Sequence, residues 1–195
     1  MSIHTKFLRG KNGIVFIGLN ATGEAVQCGS VFCTRVHFWK ILKDAGFINE
    51  YTKDNSQTFP FEHMAPDVFI SGEKSNYPDG LGFTDIVDDN AIIERNSKNV
   101  RVLSTHLDSL KKRLIEAKPD KIVLLGKRVA EEFLKMDNTL KVAWANRRTK
   151  DNEEVYRYLG NTDILGREVK VYVVPFPETS PIAEKHKYYK SVLEL

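Results

Sequence analysis

Ile14-Val15-Phe16-Ile17 is an unbroken apolar run that stops at Gly18. It is too short for a helix and ends at a turn signal, so it predicts a buried strand of a parallel sheet over 14–19. Three further runs read the same way, over 80–87, 121–126 and 168–174. Between them the period changes. Phe38, Ile41, Leu42 and Ala45 recur at helical spacing, with Gly46 placed to end that helix. Leu103, Leu107, Leu110 and Leu114 form a second amphipathic stretch, closed by Pro119. Residues 127–134 read as the crossover helix after the third strand, and 182–194 as a final helix carrying Ile182, Tyr188, Tyr189, Val192 and Leu193. The rest is polar: an arm over 1–12, a loop running to Ser30, an irregular segment over 49–80 and a linker over 88–101. Phe59, Phe61, Met64, Val68, Phe69 and Ile70 are expected to pin the irregular segment to the core. Residues 137–168 read as a hairpin or long loop around 155–159.

Strands alternating with helices imply an α/β fold, a mostly parallel sheet with helices on both faces. Ligands of such sheets sit outside the carboxyl ends of the strands. The first strand runs there into Gly18-Leu19-Asn20-Ala21-Thr22-Gly23, and the last into Pro175-Phe176-Pro177-Glu178-Thr179-Ser180-Pro181. Right-handed crossovers put both turns on one edge. Asn20 and the 175–181 turn are therefore expected to face one cleft.

The bulk numbers narrow the class. The chain has 195 residues, enough for one good core. Its 42% hydrophobic and 28% charged content is ordinary for a globular protein. No run approaches the roughly 20 apolar residues of a membrane span, and the N-terminal residues lack a signal-peptide pattern. A cytoplasmic, nucleoid-associated location is the expectation. Cys28 and Cys33 are read as two semi-buried thiols rather than a disulfide or a zinc site. The net charge of +3 permits a nucleic-acid partner without requiring one. His37, His63, His106 and His186 show no paired metal spacing.

Several segments in order resemble the uracil-DNA glycosylase superfamily, most closely its mismatch-specific uracil/thymine branch. Gly18-Leu19-Asn20 resembles that branch's first motif, a glycine, an aliphatic residue and a catalytic asparagine after a strand. Gly29-Ser30-Val31-Phe32, followed by His37-Phe38-Trp39-Lys40-Ile41-Leu42, resembles its pocket-aromatic loop and helix. Gly80-Leu81-Gly82-Phe83-Thr84-Asp85-Ile86-Val87 is similar to its glycine-x-threonine strand, and 122–127 to its apolar strand ending in Gly-Lys. Residues 173–178 fall where the second motif lies. Two departures stand out. Ala21-Thr22 replace the branch's Pro-Gly, and Phe176-Pro177-Glu178-Thr179 replace its Asn-Pro-Ser-Gly.

The resemblance implies a single three-layer α/β/α domain over 1–195. It implies an enzyme that flips a deaminated or mismatched base, such as uracil, out of double-stranded DNA and hydrolyses its N-glycosidic bond. No metal or cofactor is implied, and a monomer is the expectation. Carried over residue by residue, Asn20 orients the attacking water. Phe32 stacks on the base. Backbone amides of Gly18, Leu19, Ala21 and Thr22 read its polar edge. Phe176, Pro177 and Glu178 close the pocket, and Thr179, Ser180, Ile182 and Lys185 meet the DNA, with Ile182 or Phe176 as the wedge.

Plainer readings stand beside these. Asn20 and Thr84-Asp85 are competent turn or strand-end caps, and Glu178 is a competent cap for the last helix. Phe32 and Trp39 read by default as core aromatics, and Trp39 is kept in the core. A DNA-binding relative without chemistry, or an unrelated small α/β hydrolase, remains open at this level. The chain has no Walker loop, no G-x-G-x-x-G turn and no G-x-S-x-G elbow.

Overall fold

The computed structural model describes residues 6–8, 12–89, 98–148, 156–178 and 184–194. Its centre is a five-stranded sheet built from β1 (Ile14–Asn20), β2 (Leu81–Val87), β3 (Lys121–Leu125), β4 (Tyr158–Thr162) and β5 (Val169–Val174), in the order β2-β1-β3-β5-β4. β2, β1, β3 and β5 are parallel, and β4 is an antiparallel edge strand paired to β5. The expected α/β architecture and all four parallel strands are therefore observed.

Strand alternation explains why the apolar runs are unbroken. Ile14 and Phe16 point into one helical layer, and Val15 and Ile17 into the other. The first layer holds α1 (Gly23–Cys28), α2 (Val36–Asp44), a π-helix (Pro66–Ser71) and α6 (Lys185–Glu194). The second holds α3 (Ser104–Ala117), α4 (Lys127–Phe133), a 3-10 turn (Leu134–Met136) and α5 (Asn138–Arg148). Both faces being covered, a parallel strand needs no polar side. Leu110, Leu114, Val129 and Phe133 fill the second layer, and Phe38, Trp39, Leu42, Phe69 and Tyr189 fill the first.

Several elements differ from the sequence expectation, among them the π-helix, which forms inside the segment read as irregular. Residues 23–28, read as loop, form α1, which Thr22 caps by accepting from the Ala25 N–H at 3.3 Å. Residues 138–148, read as part of a hairpin or loop, form α5. Its start is fixed by the Asp137 carboxylate, which accepts from the Leu140 N–H at 2.9 Å and from the Thr162 hydroxyl at 2.6 Å. Leu140 and Trp144, one helical turn apart, pack that helix down. The hairpin is made by β4, which begins at Tyr158, and β5. The final helix begins at Lys185, and Glu184 just before it has φ 50°. The expected start at 182 lies outside the described residues.

Candidate active site

β1 ends at the carboxyl edge of the parallel strands. Asn20 is its last residue, is half-buried and lies opposite Val87 of β2. Its side-chain amide donates to the Ala21 carbonyl at 3.0 Å. Because β1 and β5 are both parallel to β3, the turn after each lies at one edge of the sheet. Only β3 separates the two strands, an offset of about 10 Å at ordinary strand spacing. Gly126, which follows β3, ties the end of that strand to the end of β5. Its N–H donates to the Val174 carbonyl at 2.8 Å, and its φ of 96° suits glycine. A Cβ there would lie 3.4 Å from Phe176 Cβ, so Phe176 closes directly over it.

The other residues of the first motif divide by face. Gly18 and Asn20 share the face of the first helical layer. Leu19 points the opposite way and is packed among the apolar residues of the second layer. Strand alternation thus leaves only the Leu19 backbone on the Asn20 side, the part of the residue the sequence reading used. Ala21 is buried in the first layer, and the Thr22 hydroxyl is taken up as the cap of α1.

Gly18 is glycine for a steric reason. A Cβ at this position would meet Asp85 Oδ1 at 2.2 Å and Phe83 Cζ at 3.1 Å. Asp85, opposite Gly18 in the ladder and only 3% exposed, thus lays its carboxylate over the glycine. The sequence reading offered Asp85 only as a strand-end cap. Its signal was present: alternation along β2 places it on the face of Asn20 once Gly18 and Asp85 are known to pair.

Phe32 sits at the same end. It is half-buried and adopts φ 55°, a left-handed conformation that is rare for a bulky residue and costs about 1–3 kcal/mol. Two bonds hold it there, since its carbonyl accepts from the Arg35 N–H and from Trp39 Nε1, each at 3.0 Å. Its ring stacks on Phe38 with centroids 3.6 Å apart and meets Phe83 edge-on at 4.9 Å. Trp39 is fully buried, as expected for a core residue. Trp39→Phe removes the indole donor and part of the core volume. It is expected to lower stability by about 1–3 kcal/mol, read from the urea midpoint at unchanged slope.

The 175–178 turn is braced from α6. The buried Tyr189 hydroxyl donates to the Pro175 carbonyl at 3.0 Å, and Lys185 Nζ donates to the Pro177 carbonyl at 2.6 Å. Burial lowers the pKa of Lys185, with Glu178 opposing that shift. The ammonium therefore braces the turn through the Pro177 carbonyl. Glu178 is half-buried, and its Oε1 is buried without a hydrogen-bond partner among the described residues. Its expected alternative role as a helix cap is not what it does here, because α6 starts seven positions later, at Lys185. Thr179, Ser180 and Ile182 lie outside the described residues.

The cysteines flank the Phe32 loop. Cys28 is half-buried and donates to the Ser30 carbonyl at 3.2 Å, while Cys33 is buried. A hydrogen bond between the two thiols lowers the pKa of Cys28 and, with burial, raises that of Cys33. Iodoacetamide applied to the native protein is therefore expected to label Cys28 well before Cys33, by peptide mass spectrometry. Equal labelling would contradict this arrangement.

A comparison with curated protein sequences finds no match. A family model described as the Uracil DNA glycosylase superfamily matches residues 6–194, nearly the whole chain and every element of the cleft. The chain belongs to the uracil DNA glycosylase superfamily.

Proposed function

We propose that this protein is a monofunctional DNA glycosylase of the mismatch-specific uracil/thymine branch, removing uracil or another deaminated or mismatched base from double-stranded DNA. The observation that carries the reading is the position of Asn20. It ends β1 at the carboxyl edge of the sheet, on the face that also carries Phe32 and its aromatic neighbours. The family assignment supports the same chemistry.

A base must leave the stack before its glycosidic bond is accessible, which costs a few kcal/mol. Stacking on Phe32 returns about 1–3 kcal/mol of that. The bond breaks toward a cationic sugar and an anionic base. Fixed amide dipoles from Gly18 to Thr22 stabilise the departing anion without reorganising. Asn20 holds the attacking water. Phe176, Pro177 and Glu178 border the pocket, and the segment with Thr179, Ser180, Ile182 and Lys185 approaches the duplex. The protein works as a monomer in the cytoplasm, at the nucleoid.

A second reading, a DNA-binding relative without chemistry, is favoured by one observation. Ala21-Thr22 and Phe176-Pro177-Glu178-Thr179 are not the residues the branch uses at those places. Labelled duplexes carrying uracil, a thymine mismatch, hypoxanthine or ethenocytosine, incubated at enzyme excess and then treated with alkali, separate the two. Abasic sites on at least one substrate support the enzyme. Intact strands on all four, with binding that falls steeply with salt, support the binding relative.

A further inference from the structure

The two cysteines that bracket the Phe32 loop have no part in the reaction as set out above, yet their sulfurs lie together. Cys28 is the last residue of α1, and Gly29-Ser30-Val31-Phe32 lead from it to Cys33. This loop folds back over the helix it leaves, with the Ser30 N–H donating to the Ala25 carbonyl at 3.2 Å. Cys33 Sγ thereby reaches the Glu24 carbonyl at 3.6 Å. Cys28 Sγ lies 3.8 Å from the Ala25 carbonyl and 3.2 Å from that of Ser30. Glu24 and Ala25 are consecutive in α1, so both sulfurs gather at its last turn, where the two thiols share a hydrogen bond.

The pair is unequal. Cys28 is half-buried, whereas Cys33 is only 1% exposed. Their shared hydrogen bond favours the Cys28 thiolate and keeps the proton on Cys33, against burial and the Glu62 carboxylate, which oppose ionisation of Cys28. An accessible thiol that ionises, with a second thiol in reach, is the arrangement that reduces a peroxide and then closes a disulfide. Closing that bond moves the loop, because a covalent bond draws two sulfurs closer than a hydrogen bond does. The loop is anchored on both sides. Ser30 Oγ donates to the Glu62 carbonyl at 2.6 Å, and the Cys33 carbonyl accepts from the Phe61 N–H at 2.9 Å. Between these anchors the pull falls on Phe32, the direct neighbour of Cys33, whose left-handed backbone depends on Arg35 and the Trp39 indole.

We propose that Cys28 and Cys33 are a redox modification site, oxidised by hydrogen peroxide to a reversible disulfide that displaces Phe32 and slows base excision. The bond stands apart from the glycosylase reading above, and its effect on excision rests on that reading. In the first step the Cys28 sulfur attacks a peroxide oxygen. An S–O bond forms, the O–O bond breaks, and the departing hydroxide leaves as water with the thiol's proton. Cys28 is then a sulfenic acid. The Cys33 sulfur attacks the Cys28 sulfur, the S–S bond forms and the S–O bond breaks. The second water carries away the Cys33 proton. The two thiols lose two electrons together, and one peroxide is reduced to two waters. Dithiothreitol reverses the bond by thiol–disulfide exchange.

The test treats the full chain with graded hydrogen peroxide and reads free thiols, intact mass, tryptophan emission and single-turnover excision from a uracil duplex. Free thiols are expected to fall from two to none per chain, with the loss of two hydrogen masses and no dimer on a non-reducing gel. Emission is expected to change, because the Trp39 indole donates to the Phe32 carbonyl. Excision is expected to fall by about 10–10²-fold, the scale of the stacking that Phe32 supplies, and to recover with dithiothreitol. Cys28→Ser is expected to excise like the reduced wild type and to ignore the same peroxide. Thiols that persist, or a Cys28 that passes to sulfinic acid while Cys33 stays free, overturn the proposal. So does a disulfide at which excision keeps its reduced-state rate. A reduced protein that excises no base overturns the effect on excision together with the glycosylase reading, and the thiol count and emission then decide the bond and the loop movement by themselves.

Discussion

Asn20→Ala is expected to lower single-turnover base release by about 10²–10³-fold, the size of effect that follows from losing the orientation of a reacting water. The protein should stay folded. Asn20 is the last residue of β1 and only half-buried, so its backbone stays in the ladder with β2. Its amide bonds the carbonyl of its own neighbour, Ala21, at 3.0 Å. Losing such a local bond costs about 0.5–1.5 kcal/mol. The measurement pairs excision kinetics with thermal melting. Loss of activity at a nearly unchanged melting temperature supports the catalytic role. Unfolding of the variant would instead make Asn20 a structural cap.

Gly18→Ala is expected to do the reverse, damaging fold and activity together. The added methyl carbon would fall 2.2 Å from Asp85 Oδ1 and 3.1 Å from Phe83 Cζ. Neither neighbour has free room to retreat, since Phe83 and Asp85 are each 3% exposed. β1 is flanked by β2 and β3, so it cannot shift away without breaking a ladder. Overpacking of this kind costs about 1–3 kcal/mol, and each kcal/mol lowers the melting temperature of a chain this size by about 2–4 °C. Because Gly18 lies two residues before Asn20 on the same face of β1, excision should fall even at temperatures where the variant is fully folded. A variant that melts like wild type and cuts normally would contradict the close approach of Asp85 to Gly18.

The parallel strands were legible because strands covered on both faces read as plain apolar runs. The run over 14–17, with its glycine stop, located β1 and the cleft. The two missed helices had weaker signals. α1 has only six residues and no apolar stripe, so its one mark was Thr22 as a cap. Among its described residues α5 carries Leu140 and Trp144 as its large buried anchors, and its other mark was Asp137 three residues before Leu140. Tertiary packing, not local periodicity, makes both helical. For the candidate site, the sequence order placed Asn20, Phe32 and the 175–178 turn. It was silent on register. Only the pairing of Gly18 with Asp85 lays the buried carboxylate over that glycine. The left-handed backbone of Phe32, held by the Trp39 indole, was equally invisible to hydrophobic patterning.

The most direct test of the account is to look for the released base. Protein in excess over a uracil-containing duplex is incubated, and the products are resolved by mass spectrometry before any alkali is added. The account predicts free uracil in equal amount to abasic sites, on a strand that remains uncut until alkali is applied. A duplex that is bound but yields no free base, here and with the other deaminated or mismatched bases, would contradict it.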